Sequence, residues 1–404
     1  MTQTPKVLIA LAILAVAGVA ANRFARPGAG IGDKCRRVVG DAQRQCYSQL
    51  LSERLADYGV ADAMKTLEQL AVADPYMTEH AHEYAHGIGI EAFTRYPDIV
   101  STFVACGDGS ASGCRHGFVQ AYLESRDSIT APELQGLCQP FKTTAYSRAL
   151  LFQCIHGMGH GLTMFHGHDA RPALADCDRL AEQWDQTSCY GGVFMEIFVN
   201  ATEPHHPASE LSAHSHHEMA GMDMGGPAAF KAIDPADPLY PCSVMEHRYL
   251  YSCYQLQTSV MLWLNHGDIG AAAKSCDQAP ADMRPSCYES LGRDVTAYAS
   301  RDPQKSADLC AKGTPIYRAS CYDGAARSLV NWTGTTDGGF ALCRIVANDS
   351  RNLPVDATTC YNALGSAISS ITTGGPEREE LCLRAQTSQA VAACRAGAGL
   401  AVSR

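Results

Sequence analysis

Cys276-Asp-Gln-Ala-Pro-Ala-Asp-Met-Arg-Pro-Ser-Cys287-Tyr-Glu-Ser290 is followed 34 residues later by Cys310-Ala-Lys-Gly-Thr-Pro-Ile-Tyr-Arg-Ala-Ser-Cys321-Tyr-Asp-Gly324. Two cysteines 11 apart, a Pro- and Gly-bearing connection and a Cys-Tyr signature recur in register. Cys242, Cys276, Cys310 and Cys343 stand 34, 34 and 33 residues apart, and Cys253, Cys287 and Cys321 follow the first three by 11. A fixed period of this length marks a repeat array, in which each unit buries its apolar face only against its neighbours.

The same frame extends towards the N-terminus. Second cysteines open Cys46-Tyr-Ser, Cys114-Arg-His, Cys154-Ile-His, Cys189-Tyr-Gly, Cys360-Tyr-Asn and Cys394-Arg-Ala. One more unit lacks the cysteine and keeps Tyr84-Ala-His86-Gly87, matching Arg115-His116-Gly117. That makes about ten units, most of them 30 to 40 residues long. Each reads as two helices, because apolar and small residues such as Ala325, Leu329 and Val330 recur at helical spacing. A cysteine ending one helix and another opening the next can pair across the turn, a closure expected to stabilise each hairpin by about 2–4 kcal/mol. The expected fold is therefore all-α: an αα-hairpin solenoid with nine disulfides inside the repeats. The alternative of zinc-thiolate ribbons needs close Cys-x-x-Cys pairs, and the chain has none.

In its period and cysteine placement, residues 32–400 resemble the cysteine-rich helical-hairpin repeats, disulfide-pinned relatives of tetratricopeptide arrays. That resemblance implies a scaffold and does not name a function.

The net charge of −10 and the lack of a basic stripe argue against a nucleic-acid partner. The chain opens with Lys6 and an apolar run from Val7 to Ala21, expected to be an export signal or an N-terminal membrane anchor over residues 1–22. Either form sends the body of the chain to a periplasmic or extracellular compartment, as an even cysteine count also predicts. Residues 32–200 read as histidine-rich repeats, 201–238 as an insertion and 239–400 as histidine-poor repeats. The last of these is the candidate surface for a protein partner.

The histidines are concentrated. His80, His82, His86, His116, His156, His160, His166 and His168 fall in the N-terminal units, and none follows Cys276. His86, His116 and His156 hold one equivalent position, each followed by glycine. His82 lies a turn before that position and His160 a turn after it. A spacing of four puts such pairs on one helix face. The five are candidate metal ligands, with Gly87, Gly117 and Gly157 leaving room for close helix approach. Structural histidines bonded to carbonyls of a neighbouring unit are the competing reading. His82-Glu83-Tyr-Ala-His86 also matches H-E-x-x-H, in which Glu83 would be the catalytic base of a metal-dependent hydrolase. Ala92 stands where an extended metzincin pattern needs a third histidine. Glu91, Glu124 and Glu196 are candidate carboxylate ligands by spacing. Met158, Met164 and Met195 read as core fillers, and the tyrosines after the signature cysteines as packing between units.

The insertion places five histidines (His205, His206, His214, His216, His217) and three methionines (Met219, Met222, Met224) within 20 residues. Imidazole suits Cu(II) and other borderline ions, while thioether selects Cu(I). The tract resembles the Met/His-rich loops of periplasmic copper-resistance proteins, which implies copper capture or delivery. The sequence thus predicts an exported metal-binding repeat protein, with copper as the expected ion and zinc second. A metal-dependent enzyme using Glu83, or a plain interaction scaffold, are the alternatives.

Overall fold

The computed structural model describes residues 30–96, 98–107, 112–143, 146, 148–202, 230–372 and 374–400. Among these residues the chain is helical throughout and forms no strand. It divides into two compact units, one ending at Ser128 and the other beginning at Ile129. The first holds α1 (Asp41–Tyr58), α2 (Val60–Ala73), α3 (Pro75–Arg95), α4 (Ile99–Ala105) and α5 (Gly113–Glu124). The second opens with α6 (Ala131–Leu137), α7 (Arg148–Phe165), α8 (Ala170–Cys177) and α9 (Gln183–Thr202). After the insertion come α10 (His247–Tyr254), α11 (Gln257–Leu264), α12 (Ile269–Cys276), α13 (Arg284–Tyr298) and α14 (Pro303–Cys310). The chain closes with α15 (Arg318–Thr333), α16 (Asp337–Asn348), α17 (Pro354–Ile371), α18 (Gly375–Cys382) and α19 (Ser388–Gly397).

In each hairpin a short helix or helical turn leads into a longer helix, and the disulfide joins them. All eighteen cysteines pair with their neighbours in sequence: 35–46, 106–114, 138–154, 177–189, 242–253, 276–287, 310–321, 343–360 and 382–394. The Cα–Cα separations of 5.4 to 5.8 Å suit the bond without backbone movement. Nine disulfides with no free thiol place this chain in an oxidising, exported environment. Among the described residues no helix is long and apolar enough to cross a membrane. The leader over residues 1–22 lies outside the described residues.

The start of five of the short helices is fixed eight residues before the cysteine. Asp98, Thr130, Asp169, Asp268 and Asp302 stand there, and each side chain accepts a hydrogen bond from a first-turn backbone N–H. Such a cap contributes about 0.5–2 kcal/mol. The signature tyrosines Tyr47, Tyr254, Tyr288 and Tyr322 are fully buried, as packing residues should be. Tyr288 also carries polar duty: its hydroxyl donates to Asp277 Oδ1 at 2.9 Å and accepts from Thr314 N–H at 3.0 Å.

The long helices pack on one another, α3 on α5 in the first unit and, in the second, α7 on α9, α13 on α15, α15 on α17 and α17 on α19. Their closest approach follows one rule. Gly159, Gly292 and Gly365 stand five residues after their signature cysteine, and a Cβ there would collide with the carbonyl of Cys189, Cys321 or Cys394. On the facing helix Gly192, Gly324 and Gly397 stand three after theirs, and a Cβ there would strike the carbonyl of His156, Glu289 or Asn362. Gly89 and Gly117 repeat the arrangement in the first unit, against Cys114 and His86. Glycine is needed at these crossings because two backbones meet with no space for a side chain. The expected role of Gly87 is corrected: it is exposed, with nothing within 4 Å of a Cβ, and Gly89 makes the approach.

Candidate functional site

The first unit brings three of the predicted ligands together. α3 is positioned by Asp74, whose carboxylate accepts from the Tyr76 backbone N–H at 3.0 Å and from the buried Tyr47 hydroxyl. Pro75 then occupies the first helical position. His82 and His86 lie one turn apart on this helix, with ring centroids 4.8 Å apart. The Gly89–Gly117 crossing lays α5 against α3 so that His116 faces them, at 5.7 Å from His86 and 6.1 Å from His82. Gly113 lets the start of α5 sit against His82, whose carbonyl and Nδ1 a Cβ would crowd. One nitrogen from each ring falls within 4.8 Å of the other two. His86 and His116 are buried and His82 is half-buried.

These distances can be compared with what an ion requires. With a metal–nitrogen distance of about 2.0–2.1 Å, ligand nitrogens at tetrahedral or trigonal angles stand about 3.3–3.6 Å apart and ring centroids about 5.2–5.6 Å apart. The observed centroid spacings straddle that range, and rotations of the side chains by about 1 Å at the nitrogens close the set. Three neutral imidazoles are a donor set for borderline divalent ions and leave a coordination position open.

Comparison of the chain with protein-family models, curated proteins and solved structures finds no match. The reading of the site therefore rests on its own geometry.

Glu83 does not join the three histidines. Its Oε2 lies 3.4 Å from His80 Nδ1, and its charge acts on Arg44. Of the other carboxylates singled out by spacing, Glu91 accepts from Ser52 at 2.8 Å and from Arg95 at 2.7 Å, and Glu124 from Gln120 at 3.2 Å.

His156 and His160 belong to the second unit and form a group of their own on α7, with centroids 5.0 Å apart. Burial, and next the charge of His160, hold the His156 pKa down at about 3, so its ring is neutral at pH 7. His160 Nδ1 lies 2.9 Å from Oε2 of the fully buried Glu196, whose Oε1 is 3.3 Å from His168 Nε2. His156 Nε2 lies 3.4 Å from Met195 Sδ. Met158 and Met164 are buried fillers, as expected, whereas Met195 turns its sulfur to a histidine. Met195 stands six residues after Cys189, on the turn beyond the glycine that faces His156. His205, His206, His214, His216, His217, Met219, Met222 and Met224 lie outside the described residues.

Proposed function

We propose that this exported, disulfide-stapled repeat protein binds a transition metal through His82, His86 and His116, copper in preference to zinc, and takes part in metal capture or relay in a periplasmic or extracellular compartment. The observation that carries this reading is the convergence of three imidazole nitrogens within 4.8 Å, drawn from two helices whose crossing is fixed by paired glycines. A buried cluster of three like rings is what a shared cation would organise, because each neutral imidazole offers one lone pair to it. The preference for copper follows from the affinity order of nitrogen sites, in which Cu(II) exceeds Zn(II), and the His/Met tract of the insertion would gather the ion. Glu83 supports an enzyme reading less well, since it faces His80.

Metal-free protein titrated with Cu(II) and Zn(II) tests this. The wild type and a variant lacking residues 203–229 are expected to share one tight site that binds Cu(II) more strongly than Zn(II). The double variant His86→Gln/His116→Gln is expected to lose that site. Equal affinity in the double variant would overturn the proposal.

A further inference from the structure

The second unit sets a ring nitrogen of His156 beside a thioether sulfur. Nε2 faces Met195, and Nδ1 is turned towards Gly191, 3.5 Å from where a Cβ there would stand. A neutral imidazole that donates through Nδ1 carries its lone pair on Nε2, and a thioether sulfur has no proton to offer. In that tautomer Nε2 and Sδ meet at 3.4 Å as two Lewis bases. An ion held at about 2.0–2.1 Å from nitrogen and about 2.3 Å from sulfur would span that separation at a ligand–metal–ligand angle of about 101–104°.

The neighbours complete the arrangement. Glu196 fixes His160 through Nδ1, which leaves Nε2 as the nitrogen with metal-binding character, the carboxylate–histidine pairing typical of metal ligands. The His156–His160 centroid spacing of 5.0 Å is close to the about 5.2–5.6 Å expected of two imidazoles on one ion. The site is also reachable. His156 and Met195 line a cavity of about 740 Å³ on the second unit, with Phe152, Trp184 and Tyr251 among its other walls.

We propose that the second unit carries a separate soft-metal site, with His156, Met195 and His160 as ligands and Glu196 as the residue that positions His160, and that this site takes Cu(I). Two imidazoles and a thioether favour the softer monovalent ion, in contrast to the all-nitrogen set of the first unit. The proposal stands whether or not the three-histidine site binds.

Methyl-labelled methionine NMR on the full chain tests it, because it separates Met195 from the methionines of the insertion. The Met195 resonance is assigned by its disappearance in Met195→Leu. Ag(I) serves as a redox-inert stand-in for Cu(I), followed by Cu(I) itself under anaerobic conditions. The Met195 methyl is expected to shift and saturate with Ag(I) and Cu(I) and to stay in place with Zn(II). His156→Gln is expected to weaken the response at least about tenfold, and Glu196→Gln by about 10–100-fold. The variant His86→Gln/His116→Gln is expected to leave it unchanged, which separates this site from the one in the first unit. A Met195 methyl that stays unmoved by Ag(I) and Cu(I) while other methionines respond would overturn the proposal. That result is also what a simple Nε2–H to sulfur hydrogen bond predicts. The wild-type titration decides the point even if a histidine variant fails to fold.

Discussion

His86 and Glu289 occupy the same position of the repeat, two residues after the signature cysteine or its equivalent, and each meets a like group across a glycine crossing. His86 faces His116, and Glu289 feels the charge of Asp323. The chemistry at the two crossings is opposite. Two neutral imidazoles can share a cation, whereas two carboxylates repel. Burial first and Asp323 second raise the Glu289 pKa above the ordinary carboxylate value. The sign of the resulting pH dependence follows directly. The unfolded chain releases this proton near about pH 4.3, and the folded chain holds it to higher pH. The contribution to stability is fully present below the unfolded value and is lost as pH rises through the folded one, at about 1.4 kcal/mol per pH unit between them. Glu289→Gln keeps the shape and removes the ionisation. It is expected to be more stable than the wild type at pH 7 and equally stable near pH 4, as read from urea midpoints across that range. A wild type that is the more stable at pH 7 would refute the assignment.

Between helices, the spacing that holds the array together was present in the sequence as small residues alternating at five and three positions after the signature cysteines. Gly292 and Gly324 follow it, Thr258 and Ser290 replace glycine with hydroxyls 2.5 Å apart, and Ala326 and Ala363 occupy the same register. It is hard to read without the fold, because glycine in a helix interior ordinarily signals weakness. The fold class was easier to read, since cysteine pairs at period 34 admit few architectures. So was the His82/His86/His116 group, because equivalent positions on adjacent long helices must become neighbours. The Met195–His156 contact was not, because a methionine on a helix ordinarily fills a core. A pair of substitutions tests the crossing rule. Gly365→Ala gains about 1 kcal/mol of helix propensity. Its new Cβ, however, strikes the backbone of Cys394 and Ala398, and overpacking of about 1–3 kcal/mol or more outweighs the gain. Gly87→Ala meets nothing within 4 Å on the exposed face of α3 and should stabilise by up to about 1 kcal/mol. Thermal midpoints are expected to move in opposite directions. Movement in the same direction would mean that the helices do not meet backbone to backbone.

For the whole molecule, short covalent loops reinforce a core that is itself extensive. The disulfides close sequence separations of 8 to 17 residues, each contributing about 2.5–3 kcal/mol in the chain-entropy account. Nine of them together exceed the about 5–15 kcal/mol net stability of a typical domain. Under the proposed function, metal binding would therefore be coupled to the fold through redox state. His116 lies two residues after Cys114, whose bond to Cys106 ties the start of α5 to the end of α4. Opening that loop frees the first turn of the helix that supplies the third imidazole, while α3 keeps its cap, its buried face and its other two histidines. The double variant Cys106→Ser/Cys114→Ser is thus expected to retain most of its helical circular dichroism and to bind metal at least about tenfold more weakly, because the groups that hold metal ligands in place are commonly worth about 10–100-fold in affinity. Removing the Cys310–Cys321 bond of the second unit instead is expected to lower stability by about 2–4 kcal/mol and to leave that affinity unchanged. Isothermal titration of both variants beside the wild type reads the difference. Equal affinity in all three would show that the three imidazoles converge without the loop, and the coupling of thiol oxidation to metal capture would fall with it.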